Sequence, residues 1–389
     1  MAGRAKRDTV VEELEGIELE LRRLERDTEK IITKFGAARV ERLKDRPAME
    51  GFHNGLLASH RDFDKFYSKM LSGERSAIVS GLNPSGSFQM GHIGVFDTNI
   101  FFQREHGLDV YAPISDDESY VAGKIATQEE GMRNSLMLIR EYLAYGFDPR
   151  KTHFIIDQIY TNIYNIAIKL SKGINMTTLR AIYNYKDSDN IGLTFYPSVQ
   201  SAHVIFPNTL GIMNVLVPIG PDEDLHLRAC RDVAEKYGYE KPKVVHSRFL
   251  PGIDGKKMSK SKNNSIFLFD DEATIKRKIS NAFSGGRATI AEHRSMGGIP
   301  ENDIACIYLK YLFYSRDRAE ALFEDYRKGR LLSGEVKKLL LDEVLAKTRE
   351  IRERYNRITF KDLSRSILRN EDVDLESLVE RYGIFSDER

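Results

Sequence analysis

One stretch decides the fold of this chain, because it joins a short apolar run to a turn rich in glycine, asparagine, proline and serine. It reads Ala77-Ile78-Val79-Ser80-Gly81-Leu82-Asn83-Pro84-Ser85-Gly86-Ser87-Phe88-Gln89-Met90-Gly91-His92-Ile93-Gly94. Apolar residues then recur at Ile93, Phe96 and Ile100, which is the spacing of one helix face. The stretch therefore predicts a strand, a loop and the start of a helix.

A junction of this kind can bind phosphate. The loop and the first helical turn leave backbone N–H groups unpaired, and the helix dipole adds partial positive charge there. The glycines let a nucleotide approach the main chain closely. Taken alone, the stretch also fits an ordinary turn that only connects two elements of an α/β sheet.

A basic segment much further along the chain supplies the second part of the signal. It reads Asp254-Gly255-Lys256-Lys257-Met258-Ser259-Lys260-Ser261-Lys262-Asn263-Asn264. Its amines are point charges and its hydroxyl groups are hydrogen-bond donors, so the loop could close over a polyphosphate. The alternative is a solvated basic turn without a ligand.

Strand and helix patterns alternate between these two segments. Strands are predicted at 77–80, 109–115, 153–156, 214–219 and 243–246, and helical patterns at 132–145 and 225–237. This alternation indicates βαβ units and a parallel, Rossmann-like sheet, in which ligands bind past the carboxyl ends of the strands. The segments expected at that edge are 84–92, 115–118, 220–224 and the loop after His246.

The rest of the chain is predicted to be mainly helical. An amphipathic helix is expected over 9–34, a helical insertion over 160–208, and helical periodicity dominates after Asp270, with basic residues clustered over 327–357. We therefore expect three regions: an N-terminal helical extension and lead-in (1–74), the nucleotide-binding α/β domain (75–268) and an all-α domain with a tail (269–389).

Composition limits the possible partners and location. The formal net charge is only +1, so a nucleic-acid site would have to be a local patch. The two cysteines, Cys230 and Cys306, suggest neither a disulfide framework nor a metal site, and a reducing cytoplasm is expected. No long apolar run predicts a membrane span.

Taken together, the two segments resemble those of class I aminoacyl-tRNA synthetases. Gln89-Met90-Gly91-His92 stands where that class has its HIGH motif, and Lys257-Met258-Ser259-Lys260-Ser261 matches the KMSKS loop in full. Further matches, over roughly 58 to 345, are to archaeal and eukaryotic tryptophanyl-tRNA synthetases. They include His60-Arg61-Asp62-Phe63-Asp64-Lys65, Ser115-Asp116-Asp117-Glu118, Phe195-Tyr196-Pro197-Ser198-Val199-Gln200, Arg231-Asp232-Val233-Ala234-Glu235, Val245-His246-Ser247, Phe283-Ser284-Gly285-Gly286-Arg287 and Leu332-Ser333-Gly334-Glu335-Val336-Lys337-Lys338.

The resemblance implies ATP-dependent activation of an amino acid and its transfer to tRNA. It implies ATP with Mg²⁺ on its phosphates, no metal site of the protein's own, a cytoplasmic homodimer, and a helical domain that binds the tRNA anticodon. The residues implied in catalysis are Lys257, Lys260, His92 and Gln89. Those implied in ATP binding are Gly81, Ser85, Gly91, His92, Gly220, Asp222, Lys257, Met258, Ser259, Lys260 and Ser261. Those implied in amino-acid binding are Val79, Pro113, Glu118, Gln200, Glu223 and Leu227.

The implied roles follow from the chemistry of adenylate formation. Lys257 and Lys260 would hold the β- and γ-phosphates, where positive charge assists the departure of pyrophosphate. Gly91 would let adenine lie against the backbone, while His92 and Gln89 donate to phosphate or ribose. Gly220 and Asp222 would bind ribose, and Glu118 and Gln200 the amino acid.

Several of these residues also have purely structural alternatives. His92 could cap the helix that follows it, and Asp222 or Asp224 could cap the helix after 220–224. The acidic run that ends at Glu118 could likewise be a helix cap.

The chain departs from the tryptophan-specific pattern inside the amino-acid site. Val79 replaces a tyrosine, Pro113 a glutamine and Leu82 an arginine, and the aromatic lining that the family pattern has near Leu227 is missing; Gln89 also replaces a histidine. Lost polar contacts to a substrate N–H weaken discrimination strongly. Tryptophan remains the favoured substrate. The alternatives are a paralogue that uses another amino acid such as tyrosine or another acceptor, and a non-catalytic regulator that kept the fold.

Overall fold

The computed structural model describes residues 2–258 and 262–386, with side chains from residue 16 onward. The chain divides into two compact units. Unit 1 comprises Met1–Ser59, Phe88–Gly94 and Ser247–Glu350, and unit 2 comprises His60–Ser87, Val95–His246 and Ile351–Arg389. Each unit is therefore built from separate stretches of the chain.

Unit 2 is built on a parallel sheet. The strands of the chain are β1 (Ala38–Arg39), β2 (Leu57–Arg61), β3 (Ser76–Val79), β4 (Asp109–Ile114), β5 (Thr152–Ile156), β6 (Asn214–Ile219), β7 (Lys243–Ser247) and β8 (Ile367–Leu368). In unit 2 the order is β7-β6-β3-β4-β5-β8, and all neighbouring pairs are parallel. Ile78 lies in register with Val110 on one side and with Leu216 on the other. The five strands predicted from sequence are confirmed, each within one residue of the expected bounds.

Helices supply the remaining regular structure. They are α1 (Ala2–Thr33), α2 (Phe63–Leu71), α3 (Ile93–His106), α4 (Asp116–Val121), α5 (Gln128–Tyr145), α6 (Asn162–Ser171), α7 (Met176–Tyr183), α8 (Ile191–Thr209), α9 (Asp224–Lys236), α10 (Glu272–Ser280), α11 (Ile290–Met296), α12 (Ile304–Tyr308), α13 (Arg316–Arg327), α14 (Ser333–Tyr355), α15 (Phe360–Ser366) and α16 (Leu375–Arg381). The predicted N-terminal helix is confirmed as α1, and the predicted insertion contains α6, α7 and α8. No helix among the described residues is both long and apolar enough to cross a membrane.

The C-terminal region corrects the expectation of an all-α segment over 269–389. β8 adds a parallel strand beside β5, with Ile367 in register with Phe154, and Ile367 is buried. Asn370 also donates its backbone N–H to the carbonyl of Ile159 at 2.8 Å. Residues 351–389 thus belong to the sheet unit, and a strand of only two residues is too short to produce a recognisable period in the sequence.

In unit 1, a buried carboxyl group organises the loops between the C-terminal helices. Asp303 accepts hydrogen bonds from the N–H of Cys306 at 3.0 Å and of Gly285 at 3.1 Å, and from the hydroxyl of Tyr326 at 2.8 Å. Burial raises the pKa of Asp303, although these hydrogen bonds oppose the rise. The loop that contains Gly285 is therefore held in place by its hydrogen bond to the buried Asp303 carboxyl group.

Candidate active site

The two motif segments meet inside unit 1. Gln89 forms an antiparallel bridge with Phe267. On either side of it, the N–H of Met90 donates to the carbonyl of Ile266 at 3.0 Å, and the N–H of Leu268 donates to the carbonyl of Phe88 at 2.8 Å. The stretch from 88 to 92 thus lies directly beside the strand-like segment that follows the basic loop.

The two motifs approach each other at Gly91. A Cβ atom added there would lie only 3.2 Å from Sδ of Met258, the central methionine of the lysine and serine motif. Glycine is therefore what allows Met258 to lie against the backbone of the first motif. The two segments are distant in sequence and adjacent in the folded unit, as the resemblance predicts.

His92 has the structural role that was considered as its alternative. Its Nδ1 accepts a hydrogen bond from the backbone N–H of Gln89 at 3.1 Å, at the start of the short 3₁₀ helix Met90–His92. This bond assigns the proton of the neutral imidazole to Nε2. Nδ1 therefore accepts the capping hydrogen bond while Nε2–H can donate to a phosphate oxygen. His92 can thus cap the helix and bind phosphate at the same time.

The base of the basic loop is held by Asn264. Its side-chain amide donates to Oδ1 of Asp254 at 2.8 Å and to the carbonyl of Lys257 at 3.2 Å. The Lys257 side chain is exposed, and its ammonium lies 4.9 Å from the centre of the Phe249 ring. The other three motif residues assigned to ATP binding, Ser259, Lys260 and Ser261, lie outside the described residues.

In unit 2, the nucleotide loop leaves the sheet against β4. The N–H of Leu82 donates to the carbonyl of Pro113 at 3.1 Å, and a Cβ atom on Gly81 would lie 2.0 Å from that same oxygen. Only glycine fits at this crossing. Val79 and Pro113 are buried, whereas Ser85 further along the loop is partly exposed. Gly81 and Pro113, which the sequence assigned to ATP and amino-acid binding, are thus in contact, and Val79 lies in register with Tyr111.

Glu118 is already paired with groups of the protein. Nδ2 of Asn83 donates to its Oε2 at 2.7 Å, and Nζ of Lys124 lies 2.8 and 2.9 Å from its two oxygens. The Lys124 side chain is 42% exposed and that of Glu118 is 14% exposed. An incoming ammonium group would therefore have to compete with Lys124 for the carboxylate. The sequence analysis missed Lys124 because a lysine six residues after Glu118 belongs to no motif.

Three more carboxyl groups lie beside Glu118 in unit 2. The ligand oxygens of Asp116, Asp117 and Asp157 lie within 4.8 Å of one another, close enough to share a proton or a cation. Burial and the neighbouring carboxylates raise the pKa of Asp116 to about 6 and that of Asp117 to about 8. Burial also lowers the pKa of His203, whose Nε2 lies 2.7 Å from Oδ1 of Asp157, to about 4. At neutral pH the group is therefore stabilised by shared protons rather than by a charged imidazole.

Gln200 lies in a second polar group of unit 2. Its Oε1 accepts a hydrogen bond from the hydroxyl of Tyr183 at 3.1 Å. The Tyr183 ring stacks on Tyr185 at 5.2 Å and packs edge-on against the imidazole of His226 at 4.5 Å. Leu227 follows His226 in α9 and belongs to the same buried apolar cluster as Val79. None of the three aromatic side chains in this group was predicted from sequence.

The start of α9 is fixed by a buried ion pair. Arg61 donates to both oxygens of Asp224, at 2.7 and 2.8 Å, and Nε2 of His246 lies 2.9 Å from Oδ1. Burial alone would raise the pKa of Asp224, but His246 and Arg61 outweigh it and hold this pKa well below its usual range. Asp224 is therefore an anchor rather than the helix cap that was considered.

A second pair joins the same two segments. Arg231, two turns further along α9, donates to Oδ2 of Asp62 at 2.6 Å. Burial opposes ionisation here too, yet Lys65 and Arg231 lower the pKa of Asp62 to about 2. The segment from His60 to Lys65 matched the family in sequence without an evident role. The structure explains the match, because this segment positions α9.

The loop before α9 carries the predicted ribose-binding residues. Gly220 precedes a short 3₁₀ helix, Pro221–Glu223, and a Cβ atom on Gly220 would lie 2.8 Å from Oδ1 of Asp222. Asp222 and Glu223 are exposed at the carboxyl end of β6. Both residues thus lie at the edge where parallel sheets bind nucleotides.

Comparisons with known proteins agree with this arrangement. Residues 71–347 match the family model described as tRNA synthetases class I (W and Y). The tryptophan–tRNA ligase 2 of Halobacterium salinarum is 39% identical over 82% of this chain and 84% of the relative. The tryptophan–tRNA ligase of Sulfolobus acidocaldarius is 36% identical over 84% of this chain and 89% of the relative.

Solved structures show the same relationship. The tryptophanyl-tRNA synthetase of Aeropyrum pernix superposes with a TM-score of 0.79 at 27% identity, covering 89% of this chain and 97% of that one. A product-bound parasite tRNA synthetase gives a TM-score of 0.81 at 32% identity, over 87% and 95% of the two chains. The similarity thus covers both units and not only the motifs.

Proposed function

Because the chain belongs to the class I tRNA synthetases of the tryptophan and tyrosine group, we propose that it activates tryptophan with ATP and transfers it to tRNA. The observation that carries this function is the contact of the two motif segments in unit 1, where Met258 would touch a Cβ atom on Gly91. Class I activation needs both segments at one triphosphate, and the fold of this chain brings them together.

The chemistry requires positioning and positive charge more than covalent help. The tryptophan carboxylate attacks the α-phosphate of ATP, the bond from that phosphorus to the bridging oxygen breaks, and pyrophosphate leaves. Mg²⁺ bound to the phosphates would supply further positive charge. Lys257 and Lys260 bind the β- and γ-phosphates as negative charge moves onto the leaving group. The Nε2–H of His92 donates to phosphate, because its Nδ1 is occupied by the backbone N–H of Gln89. Gln89 provides a neutral donor beside it.

The other residues that the sequence implicates bind the rest of the substrates in this proposal. Asp222 and the backbone at Gly220 bind the ribose hydroxyl groups. The ammonium of the amino acid replaces Lys124 at the Glu118 carboxylate. Gln200 accepts another hydrogen bond from the substrate.

Pyrophosphate exchange with each of the twenty amino acids tests this function. We expect exchange with tryptophan, and the double variant Lys257→Ala, Lys260→Ala should lose at least about 10²-fold in kcat because it removes transition-state charge stabilisation. Lys256→Ala, in the same loop, serves as the matched control and should keep most of the activity. Exchange with no amino acid, or full activity in the double variant, would contradict the proposal and favour a non-catalytic regulator.

A second candidate substrate is tyrosine, because Val79 and Pro113 offer no side-chain hydrogen bond to an indole N–H. Charging of total tRNA with labelled tryptophan and with labelled tyrosine, in separate reactions, distinguishes the two. Tryptophan should be attached at least about 10²-fold faster, the discrimination expected of a pocket that bonds a specific polar group. Equal or faster attachment of tyrosine would establish the paralogue instead.

The proposal extends to partners and location. The helices between 269 and 350 would contact the anticodon arm of tRNA through their basic residues, with 75–268 as the catalytic part and 1–74 as an extension. Two copies would form a homodimer in a reducing cytoplasm, which suits the buried free thiols of Cys230 and Cys306. Light scattering on a sizing column would give the mass of two chains, and a mass of one chain would contradict the dimer.

A further inference from the structure

The amino-acid site contains few groups able to recognise a ring N–H. Val79, Pro113 and Leu227 are buried and have apolar side chains. Glu118 is engaged by Lys124 and Asn83, and is assigned above to the substrate ammonium. A pocket built only from these residues would distinguish an indole from another flat ring by shape alone, which gives weak discrimination.

One imidazole nitrogen beside this apolar surface has an unused hydrogen-bonding capacity. Within the described residues, Nδ1 of His226 is buried from solvent and has no hydrogen-bonding partner. His226 precedes Leu227, which shares an apolar cluster with Val79. A buried polar atom without a partner costs free energy until something bonds to it, so a ligand that supplies an N–H gains affinity there.

The state of the ring fits an acceptor. Burial lowers the pKa of His226, and the charge of Asp222 opposes this only in part. The imidazole is therefore neutral at pH 7, and a neutral ring has one nitrogen that accepts. With the proton on Nε2, the free lone pair is on Nδ1.

We propose that His226 is the specificity-determining residue of the amino-acid site and that its Nδ1 accepts the ring N–H of the substrate. The inference rests on the function proposed above and adds the residue that selects an aromatic side chain with an N–H donor. Tyr183 covers the imidazole in the unliganded chain, because its ring packs edge-on against His226 at 4.5 Å.

Tyr183 also explains how the buried nitrogen becomes accessible. Its hydroxyl is bonded to Gln200, and α7 ends at this residue, with Asn184 in the left-handed conformation immediately after it. The substrate ring takes the place of the Tyr183 ring against His226, and this releases Gln200 to bind the substrate. A single movement at the end of α7 thus exposes both groups.

The test compares tryptophan with its benzothiophene analogue, in which sulfur replaces the ring N–H and the shape is kept. In pyrophosphate exchange, the unaltered chain should use tryptophan at least about tenfold better in kcat/KM than the analogue, since the analogue leaves Nδ1 without a partner. His226→Phe should lower kcat/KM for tryptophan by about tenfold or more and that for the analogue by less than about threefold. The preference for the N–H group would then disappear.

Three further variants separate recognition from folding. His226→Gln, which keeps an acceptor, should restore part of the preference. Tyr183→Phe keeps the ring against His226 but loses the bond to Gln200, and should keep the preference. His153→Phe removes an imidazole of the same unit that contacts Tyr111 and is hydrogen-bonded to Asp109. This control should leave kcat/KM unchanged for both tryptophan and the analogue.

Each outcome is decisive. Equal use of tryptophan and the analogue by the unaltered chain would overturn the assignment of His226 while leaving the ligase function intact. A preference that survives in His226→Phe would do the same, because the N–H would then be bonded elsewhere. Absence of tryptophan-dependent exchange would overturn the ligase function and, with it, this inference.

Discussion

The buried pair of Arg61 and Asp224 should contribute more to stability than any other ion pair described here. The Arg61 and Asp224 side chains are 10% and 3% exposed, and two hydrogen bonds of 2.7 and 2.8 Å join them. Removing one partner of a buried pair typically costs about 3–5 kcal/mol. For Asp224→Asn we expect a loss of this size in the free energy of unfolding. For Arg61→Met we expect a loss at the lower end of the range, about 3 kcal/mol, because His246 at 2.9 Å and Arg228 at 3.3 Å still face the Asp224 carboxylate.

A double-mutant cycle by urea denaturation, followed by circular dichroism at pH 7, measures the coupling. The double variant should lose less than the sum of the single losses, because it leaves no isolated charge at this position; the difference should be about 2–3 kcal/mol. Arg150→Met is the matched control, since the Arg150 side chain is 70% exposed and its pair with Asp148 should contribute under about 1 kcal/mol. A loss below about 1 kcal/mol for Asp224→Asn, or additive losses, would refute this reasoning.

The same pair predicts a pH dependence. The pKa of Asp224 is lower in the folded chain than in the unfolded one, where it is about 3.9. The carboxylate therefore adds stability above about pH 4, and this contribution declines as the pH falls toward the folded-state pKa. The stability difference between the parent and Asp224→Asn should be largest near pH 7 and smaller near pH 3. A difference that stays constant over this range would count against the assignment.

Three further predictions concern the substrate groups. Gly81→Ala should lower the free energy of unfolding by about 2–3 kcal/mol, because its new methyl group overlaps the carbonyl of Pro113; urea denaturation would show it, and an unchanged midpoint would contradict the predicted clash. Gly91→Ala should raise KM for ATP about tenfold, since its methyl group would lie 3.2 Å from Sδ of Met258 and would force Met258 away from the first motif. An unaltered KM would show that this contact does not matter for ATP binding. Lys124→Met should lower KM for the amino acid about fivefold with kcat unchanged, because it frees Glu118 for the ammonium; a raised KM would show that Lys124 assists binding.

Much of the catalytic sheet was predictable because its signals are local. The five strands are apolar runs bounded by turn residues. A parallel strand that is buried on both faces is a nearly continuous run of apolar residues, so it can be recognised from the sequence alone. The neighbourhood of Gly91 and Met258 followed from the order of two motifs. The parallel arrangement of the sheet followed from the alternation of strand and helix patterns, whereas the register of Val79 with Tyr111 was not predicted.

The anchoring contacts were not predictable, because their residues are far apart in the chain. Arg61 and Asp224 are separated by 163 positions, and no period or spacing connects them. In the sequence His226 is one residue of a predicted amphipathic helix. Only the structure shows that the Tyr183 ring packs against its imidazole. Lys124 is an ordinary exposed lysine in sequence, and only its distance to Glu118 shows that it competes for a substrate-binding group.

The short strand β8 has a consequence for how the sheet is completed during synthesis. β5 forms early in the chain, yet its outer neighbour is contributed by Ile367 and Leu368. Until those residues leave the ribosome, one backbone edge of β5 has unsatisfied hydrogen-bonding groups and can pair with another nascent chain. A polypeptide shortened before residue 367 would carry that open edge permanently, and we expect it to self-associate even though every substrate-binding residue discussed above is still present.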